Sequence, residues 1–500
     1  MKHQRIPLIA ILLICALFFI LLARSSLAQG QSTIYYVATD GSDSAGNGSS
    51  GSPWASVQHA VQNVPDGSTI LVRPGLYSGR QRLSGAFDQG VTIRSERPYQ
   101  AILENNDRVV TIYGFSGEVY GITLEGFEIR HSGPGSAPLV VHIDAGGNGM
   151  VHGITLRNNI LHDSYDNDIL KINNGARDVL VEGNLFYNQS GSDEHIDVNS
   201  VEDIIIQDNV FFNDFEGSGR ANNNDTGSFI VIKDSNAADD IYVGNDRITV
   251  RRNVFLNWAG STGSNFVLVG EDGQPFFEAR NVLIENNLLI GNSDNTMRAP
   301  FGVKGGQNVT FRHNTIVGDL PALAYAFRLN SEGSNPANEN VRFYNNIWSD
   351  PSGTMGATGP GSSNDFSDTP PGETSSFVLS HNLYWNGGAA LPIDSEELIN
   401  ITDDSKRLEA DPLFPAVSGT AIPRWDGSRF GDGSSTIAAA FANLVNLHGT
   451  PSESSPVFDQ GDAANGSAED IFGRPRINPD IGAVERQINL PFQLYLPQVE

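Results

Sequence analysis

Between Arg157 and Ser349 the chain states one short pattern seven times: LRNNILHDS, VEGNLFYNQ, IQDNVFFND, VRRNVFLNW, IENNLLIGN, FRHNTIVGD and FYNNIWSD. The shared asparagines are Asn159, Asn184, Asn209, Asn253, Asn287, Asn314 and Asn346, in steps of 25, 25, 44, 34, 27 and 32 residues. A basic period near 25 residues, lengthened in places by insertions, is that of a solenoid. Within each unit the short runs alternate apolar and polar residues at period 2 and not 3.6, so the units are built of strands. The chain is therefore predicted to be all-β: a right-handed parallel β-helix with one coil per repeat. Asparagines at one position of successive coils are expected to form a buried amide ladder that satisfies turn backbone, with no catalytic part.

Outside the array the pattern changes. STIYYVATDGSD gives a strand and a polar turn, followed by a short helix with Ser52 as N-cap and Pro53 at its first position. Trp54, Val57, Ala60, Val61 and Val64 share one face of it, suited to covering the open end of the coils. Further coils are read at VTIRSE, AILENN, VVTIYG, ITLEGFEIRHSG and, with Asn382, at FVLSHNLYWNG. Residues 350–376 are Gly/Ser/Pro-rich and read as a long loop. The array and its N-terminal cap are placed at 29–396. Residues 397–487, with a short helix near 436–447, are read as a segment closing the far end, and 488–500 as a tail.

Residues 1–28 read as a secretory leader: Lys2 and Arg5, an apolar run from Ile6 to Ala23, then Ser26-Leu27-Ala28. An uncleaved anchor is the alternative. The one cysteine, Cys15, lies inside the leader in a poor lipoprotein box, so the mature chain is expected to have no disulfide or thiolate metal site. Removing three basic residues with the leader takes the net charge from −27 to about −30. That balance argues against nucleic acid and anionic membranes as partners and suits a secreted protein, expected to be monomeric, that holds hard cations.

Equivalent positions on successive coils stack about 4.8 Å apart, so residues one repeat apart can share a site. Aligning the later strands places Ile172, Val198, Ile232, Val269, Val303 and Leu329 in an inward column. One flanking outward column reads Lys171, Asp197, Val231, Leu268, Gly302, Arg328; the other reads Asn173, Asn199, Lys233, Gly270, Lys304, Asn330. Asp168 stacks beside Glu194, next to Asp193. Asp168, Asp193, Glu194 and Asp197 thus converge on two coils, with Asp166 as a substitute for Asp168 should the register differ by two. Crowded carboxylates need protons or a cation, and an all-oxygen set points to Ca2+. The bland alternative is chance clustering of acids or a structural ion. Phe211, Phe212, Phe255 and Phe343 are read as core, and Trp258 as a possible sugar platform.

Three stretches carry a family resemblance. The opening order YYV, DGSD, PW, GSTI, PG resembles the start of many secreted β-helix polysaccharide-active proteins. The pieces SPVFDQG, DIFGRP and DIGAVE resemble the closing segment of many secreted bacterial β-helix proteins. The acidic set, Asp193-Glu194-His195-Ile196-Asp197 with Asp168 a coil before and Lys233 a coil after, resembles calcium-dependent pectate lyases, especially polysaccharide lyase family nine. It departs from that family at Glu194, where the family has Asp. The resemblance implies Ca2+ on Asp168, Asp193, Glu194 and Asp197, with Lys233 as the base of a β-elimination.

Lys171 is the second choice for base. Arg298, Arg328 and Lys304 are candidates to hold substrate carboxylates; His195, flanked by acids, is read first as a packed structural residue and second as a substrate-binding one that meets the leaving oxygen. The leading expectation is a Ca2+-dependent lyase on an anionic, pectate-like polysaccharide. Alternatives are an alginate or glycosaminoglycan lyase on the same fold, a glycoside hydrolase using paired carboxylates, and a non-catalytic, calcium-stabilised glycan-binding surface protein.

Overall fold

The structure, a computed structural model, describes residues 32–487 apart from 116, 147–148, 237–240, 319–323 and 357–364. The expected leader, with Cys15, and the tail lie outside the described residues. Among the described residues no helix is long and apolar enough to cross a membrane.

Three parallel sheets of 12, 12 and 9 strands stack along one axis. One coil shows the plan: Arg177–Glu182 lies in the first sheet, Leu185–Gln189 in the second and Ile196–Asn199 in the third, before Glu202–Gln207 returns to the first. Each strand pairs in parallel with its counterparts on neighbouring coils, as for Val179, Ile204 and Ile248 in the first sheet. This is the expected parallel β-helix.

The turn between first and second sheets carries the asparagine ladder. Asn184 Oδ1 accepts from the backbone N and Nδ2 of Asn159, while Asn184 Nδ2 donates to Leu156 O and to Asn209 Oδ1. The same bonds repeat through Asn209, Asn253, Asn287, Asn314, Asn346 and Asn382, all fully buried. The ladder ends on Asp404, whose Oδ2 accepts from Asn382. Before each asparagine the backbone turns left-handed, for example at Arg252 (φ 53°) and His313 (φ 52°).

Inside, identical positions stack ring on ring: Phe186, Phe211 and Phe255 lie 5.0 and 4.9 Å apart, and Phe343 stacks on Phe311. Trp258 belongs to the same core. It is buried against Phe229 and Phe266, so it offers no face to a sugar, contrary to the expectation.

The N-terminal helix spans Val57–Asn63 and is capped by Ser56, which accepts from His59 N, four residues later than expected. Two contacts keep the preceding residues extended. Trp54 bridges Val37, and Asp43 accepts from the backbone N of Ala55 and Ser56. The expected apolar face is nevertheless buried in the end of the core.

At the other end Ile399 and Ile401 complete the core, and Leu408–Glu409 adds the last strand. The chain then doubles back along the outer face of the second sheet. Trp425, Phe430, Ile437, Phe441 and Leu444 cover Tyr187, Phe212, Leu256 and Ile290, and Phe212 therefore faces this strap and not the interior. The second sheet is apolar on both faces, which explains why its three-residue runs VFF, VFL and LLI show no alternation.

Candidate active site

The third sheet's outer face carries the columns read from the sequence. Lys171 pairs with Asp197, Asp197 with Val231, and Asn199 with Lys233. Leu268, Gly302 and Arg328 continue the first column. The acids sit where the chain enters this sheet. Asp168 precedes Leu170–Asn173, and Asp193 and Glu194 precede Ile196–Asn199.

Glu194 N donates to Asp168 Oδ1 at 3.1 Å, which locks the two coils in step. Asp168, Asp193 and Glu194 each offer an oxygen within 4.8 Å of the others. Asp166 is not needed. Asp197 lies on the same face, with Oδ2 held by Lys171 Nζ at 2.5 Å, while Asp168 Oδ2 lies 3.8 Å from that amine. Gly227 N donates to Asp193 O, bringing the loop before Phe229 over the cluster.

Three oxygens here, Asp168 Oδ2, Glu194 Oε2 and Asp197 Oδ1, are buried without a hydrogen-bond partner. Unmet buried acceptors are costly. Burial, with Asp197 nearby, pushes Asp168 up to about 7. Burial also raises Asp193, and raises Glu194 well above the usual carboxylate range. Such a set takes protons or a hard cation, and its all-oxygen donors can hold a metal ion.

Two lysines flank the cluster. Burial works against the charge of Lys171, but Asp197 and Asp168 outweigh it and hold the amine above its ordinary value. Lys233 follows the same logic. Burial is outweighed by Glu194, Asp197 and Glu271, and its Nζ lies 2.7 Å from Glu271 Oε2.

Glu271 was missed in the sequence, although the run EDGQPFFE after Gly270 is conspicuously acidic. Its position comes from Glu278, which is fully buried and whose carboxylate accepts from the backbone N of Glu271, Asp272 and Gln274. Burial pushes neighbouring Asp272 up to about 6.

The remaining candidates are dispersed. Arg328 is paired with Asp368 at 2.6 Å and Lys304 with Glu332 at 2.6 Å, while the Arg298 guanidinium lies over the Tyr325 ring. His195 takes the packed place of its first reading and not the substrate-facing place of its second. It points into the core, fully buried, stacked 4.3 Å from Phe229 and bonded to Asn213, and burial drives its pKa down to about 3. A side chain so placed cannot reach a substrate.

No family model and no curated protein matches this sequence. Among solved structures the fold is similar to pectate lyase Pel9A, with a TM-score of 0.51 and 16% identity over 92% of this chain and 98% of that one. Weaker likenesses are a GH136 lacto-N-biosidase from Eubacterium ramulus (TM-score 0.47, 14% identity, 76% of this chain and 67% of that one) and a mannuronic acid-specific family 6 lyase from human gut microbiota (0.44, 13%, 68% and 80%). At these identities what is shared with the pectate lyase is the parallel β-helix itself.

Proposed function

We propose that the chain is a secreted, Ca2+-dependent polysaccharide lyase that cleaves a 4-linked polyuronate, pectate-like first, by β-elimination. The observation that carries this reading is the group of three buried carboxylate oxygens without a hydrogen-bond partner on the same sheet face as Lys171 and Lys233. Asp168, Asp193, Glu194 and Asp197 would hold the ion, since hard oxygen donors without thiolate or imidazole suit Ca2+. When bound, Ca2+ neutralises the substrate carboxylate and so acidifies the neighbouring C–H.

Lys233 is the base in this reading, with Lys171 second. Its neutral amine takes the proton beside the carboxylate. The electron pair left on carbon forms the new C=C as the C–O bond to the departing sugar breaks, and the departing oxygen takes a proton from solvent. Glu194 and Asp197 favour the charged amine. Once their charge is neutralised, burial is left to favour the neutral form that a base requires. Arg298, Arg328 and Lys304 would meet further uronates, the latter two after exchanging Asp368 and Glu332 for substrate.

The second reading, hydrolysis, is favoured by one observation: Asp168, near 7, is a carboxyl able to donate a proton at neutral pH. One assay separates the two. Purified protein is given a panel of polyuronates with Ca2+ or chelator, and the ultraviolet absorbance of unsaturated uronate ends is followed beside reducing ends. Lyase action gives a Ca2+-dependent rise in absorbance that is lost in Lys233→Ala. Reducing ends without absorbance would turn the assignment to hydrolysis, and neither signal to a binding protein.

A further inference from the structure

Four of the five tryptophans, Trp54, Trp258, Trp348 and Trp425, are buried, and each has another ring packed against it. Trp385 is the exception. It stands partly exposed at the end of the strand Leu383–Trp385 in the second sheet, and its indole meets no other ring among the described residues.

The register explains why. Aromatic residues on this sheet elsewhere stack on the next coil, as Tyr187 does on Phe212 at 5.0 Å. Trp385 pairs instead with Ser349 on the coil before, and the pairing of Tyr384 with Glu409 sets Ala410 beside it on the coil after. Both neighbours are too small to cover an indole. Ser349, Trp385 and Asp411, the residue after Ala410, all line one cavity of about 630 Å3.

This cavity lies between the outer face of the second sheet and the strap. Its other end is formed by Asn292, Ser293 and Asp294, which follow the strand Leu288–Gly291 three coils before Trp385. That distance is about 14 Å at three strand spacings, the reach of a short oligosaccharide and not of one sugar. The wall contributed by the strap is fixed. Val417 sits over Gly318, where a Cβ would fall 2.8 Å from it, and Thr420 Oγ1 donates to Val417 O at 2.6 Å.

The charges choose the ligand. Asp294 and Asp411 are exposed at the two ends, and no Lys or Arg is among the described lining residues. Carboxylates accept strong hydrogen bonds from sugar hydroxyls, while like charge opposes a uronate. We infer that the cavity binds a neutral oligosaccharide, with the Trp385 indole against the C–H face of one pyranose and Asp411 and Asp294 taking hydroxyls toward the two ends. The site shares no residue with the acidic cluster and lies on a different sheet. It therefore goes beyond the lyase reading and stands without it, as a second hold on a polymer of different charge.

The test is affinity electrophoresis of the full chain, with chelator, through gels containing galactan, xylan, a β-glucan or polygalacturonate. The expected result is retardation by a neutral polymer and not by polygalacturonate. Trp385→Leu, which keeps an apolar side chain against Leu383 and its neighbours, should weaken that retardation about tenfold, while Lys233→Ala leaves it unchanged. Thermal melting checks that each variant is folded. A second readout needs no variant: acrylamide quenching of wild-type tryptophan emission, carried mainly by the one partly exposed indole, should fall when oligosaccharides of the retarding polymer are added. Equal retardation of wild type and Trp385→Leu overturns the site, as does unchanged quenching or absence of retardation by every neutral polymer. Retardation by polygalacturonate that is lost in Trp385→Leu overturns the neutral ligand.

Discussion

Lys233 Nζ sits 2.7 Å from Oε2 of Glu271, a residue delivered from the following coil by a loop that Glu278 pins from beneath. Lys171 is held by Asp197 in the same sense, one coil onward. Each lysine of the site is thus charged and parked on a carboxylate, and a base must be neither.

The first prediction concerns that pair. Lys233→Ala should lower turnover by about 10² to 10⁴, the usual contribution of a positioned base. Glu271→Gln should act in the other direction on pH. Glu271 favours the protonated amine, so removing its charge lets Lys233 lose its proton at lower pH. The acid limb of the kcat/KM profile should then move toward acid. An unmoved limb would separate Glu271 from the base.

Stability in chelator should fall as pH rises. Burial pushes Asp168 to about 7 in the folded chain, against an ordinary value near 3.8, so the folded state binds the proton more tightly than the unfolded state. The stability this confers is complete below the ordinary value and is lost as pH climbs through about 7. The slope is at most about 1.4 kcal/mol per pH unit for one such group. Ca2+ should therefore raise Tm more at pH 8 than at pH 5. A Ca2+ effect of equal size at both would dissociate the ion from these carboxylates.

Removing one rung of the ladder should be felt globally. Asn209 accepts from the backbone N and Nδ2 of Asn184 and donates to Val181 O and Asn253 Oδ1. Asn209→Ala strands several buried groups and should cost about 3 kcal/mol, read as a lowered denaturant midpoint. Substitution of exposed Asn224 is the control.

The strap is testable in the same way. Phe441, 7% exposed, packs in the layer over Phe212 and Leu256. Phe441→Ala should cost about 3 kcal/mol and increase binding of a hydrophobic dye, because the face beneath it is as apolar as the core.

What was legible in the sequence follows the geometry of strands. The register Lys171, Asp197, Val231 could be read because within a strand the side-chain period is fixed at 2, so one apolar column fixes its neighbours. The period fails at corners. His195 stands just before the strand Ile196–Asn199, where the chain turns from the second sheet into the third, and it points inward although it lies between acids. Glu271 stands 38 residues beyond Lys233, a whole coil onward and just past the strand Val267–Val269, and spacing says nothing about a loop's return. The strap was invisible for another reason. Strands of three apolar residues carry no alternation to say that a second layer covers them.

The ladder has a consequence for how such a chain can lengthen or shorten. Every asparagine in it both gives and receives, so any coil between Asn159 and Asn382 can be duplicated or deleted and the series still joins. Asp404 only receives. A carboxylate at that position acts as a full stop: the array has a grammatical direction, and its length is written in one atom, the oxygen that replaces an amide nitrogen.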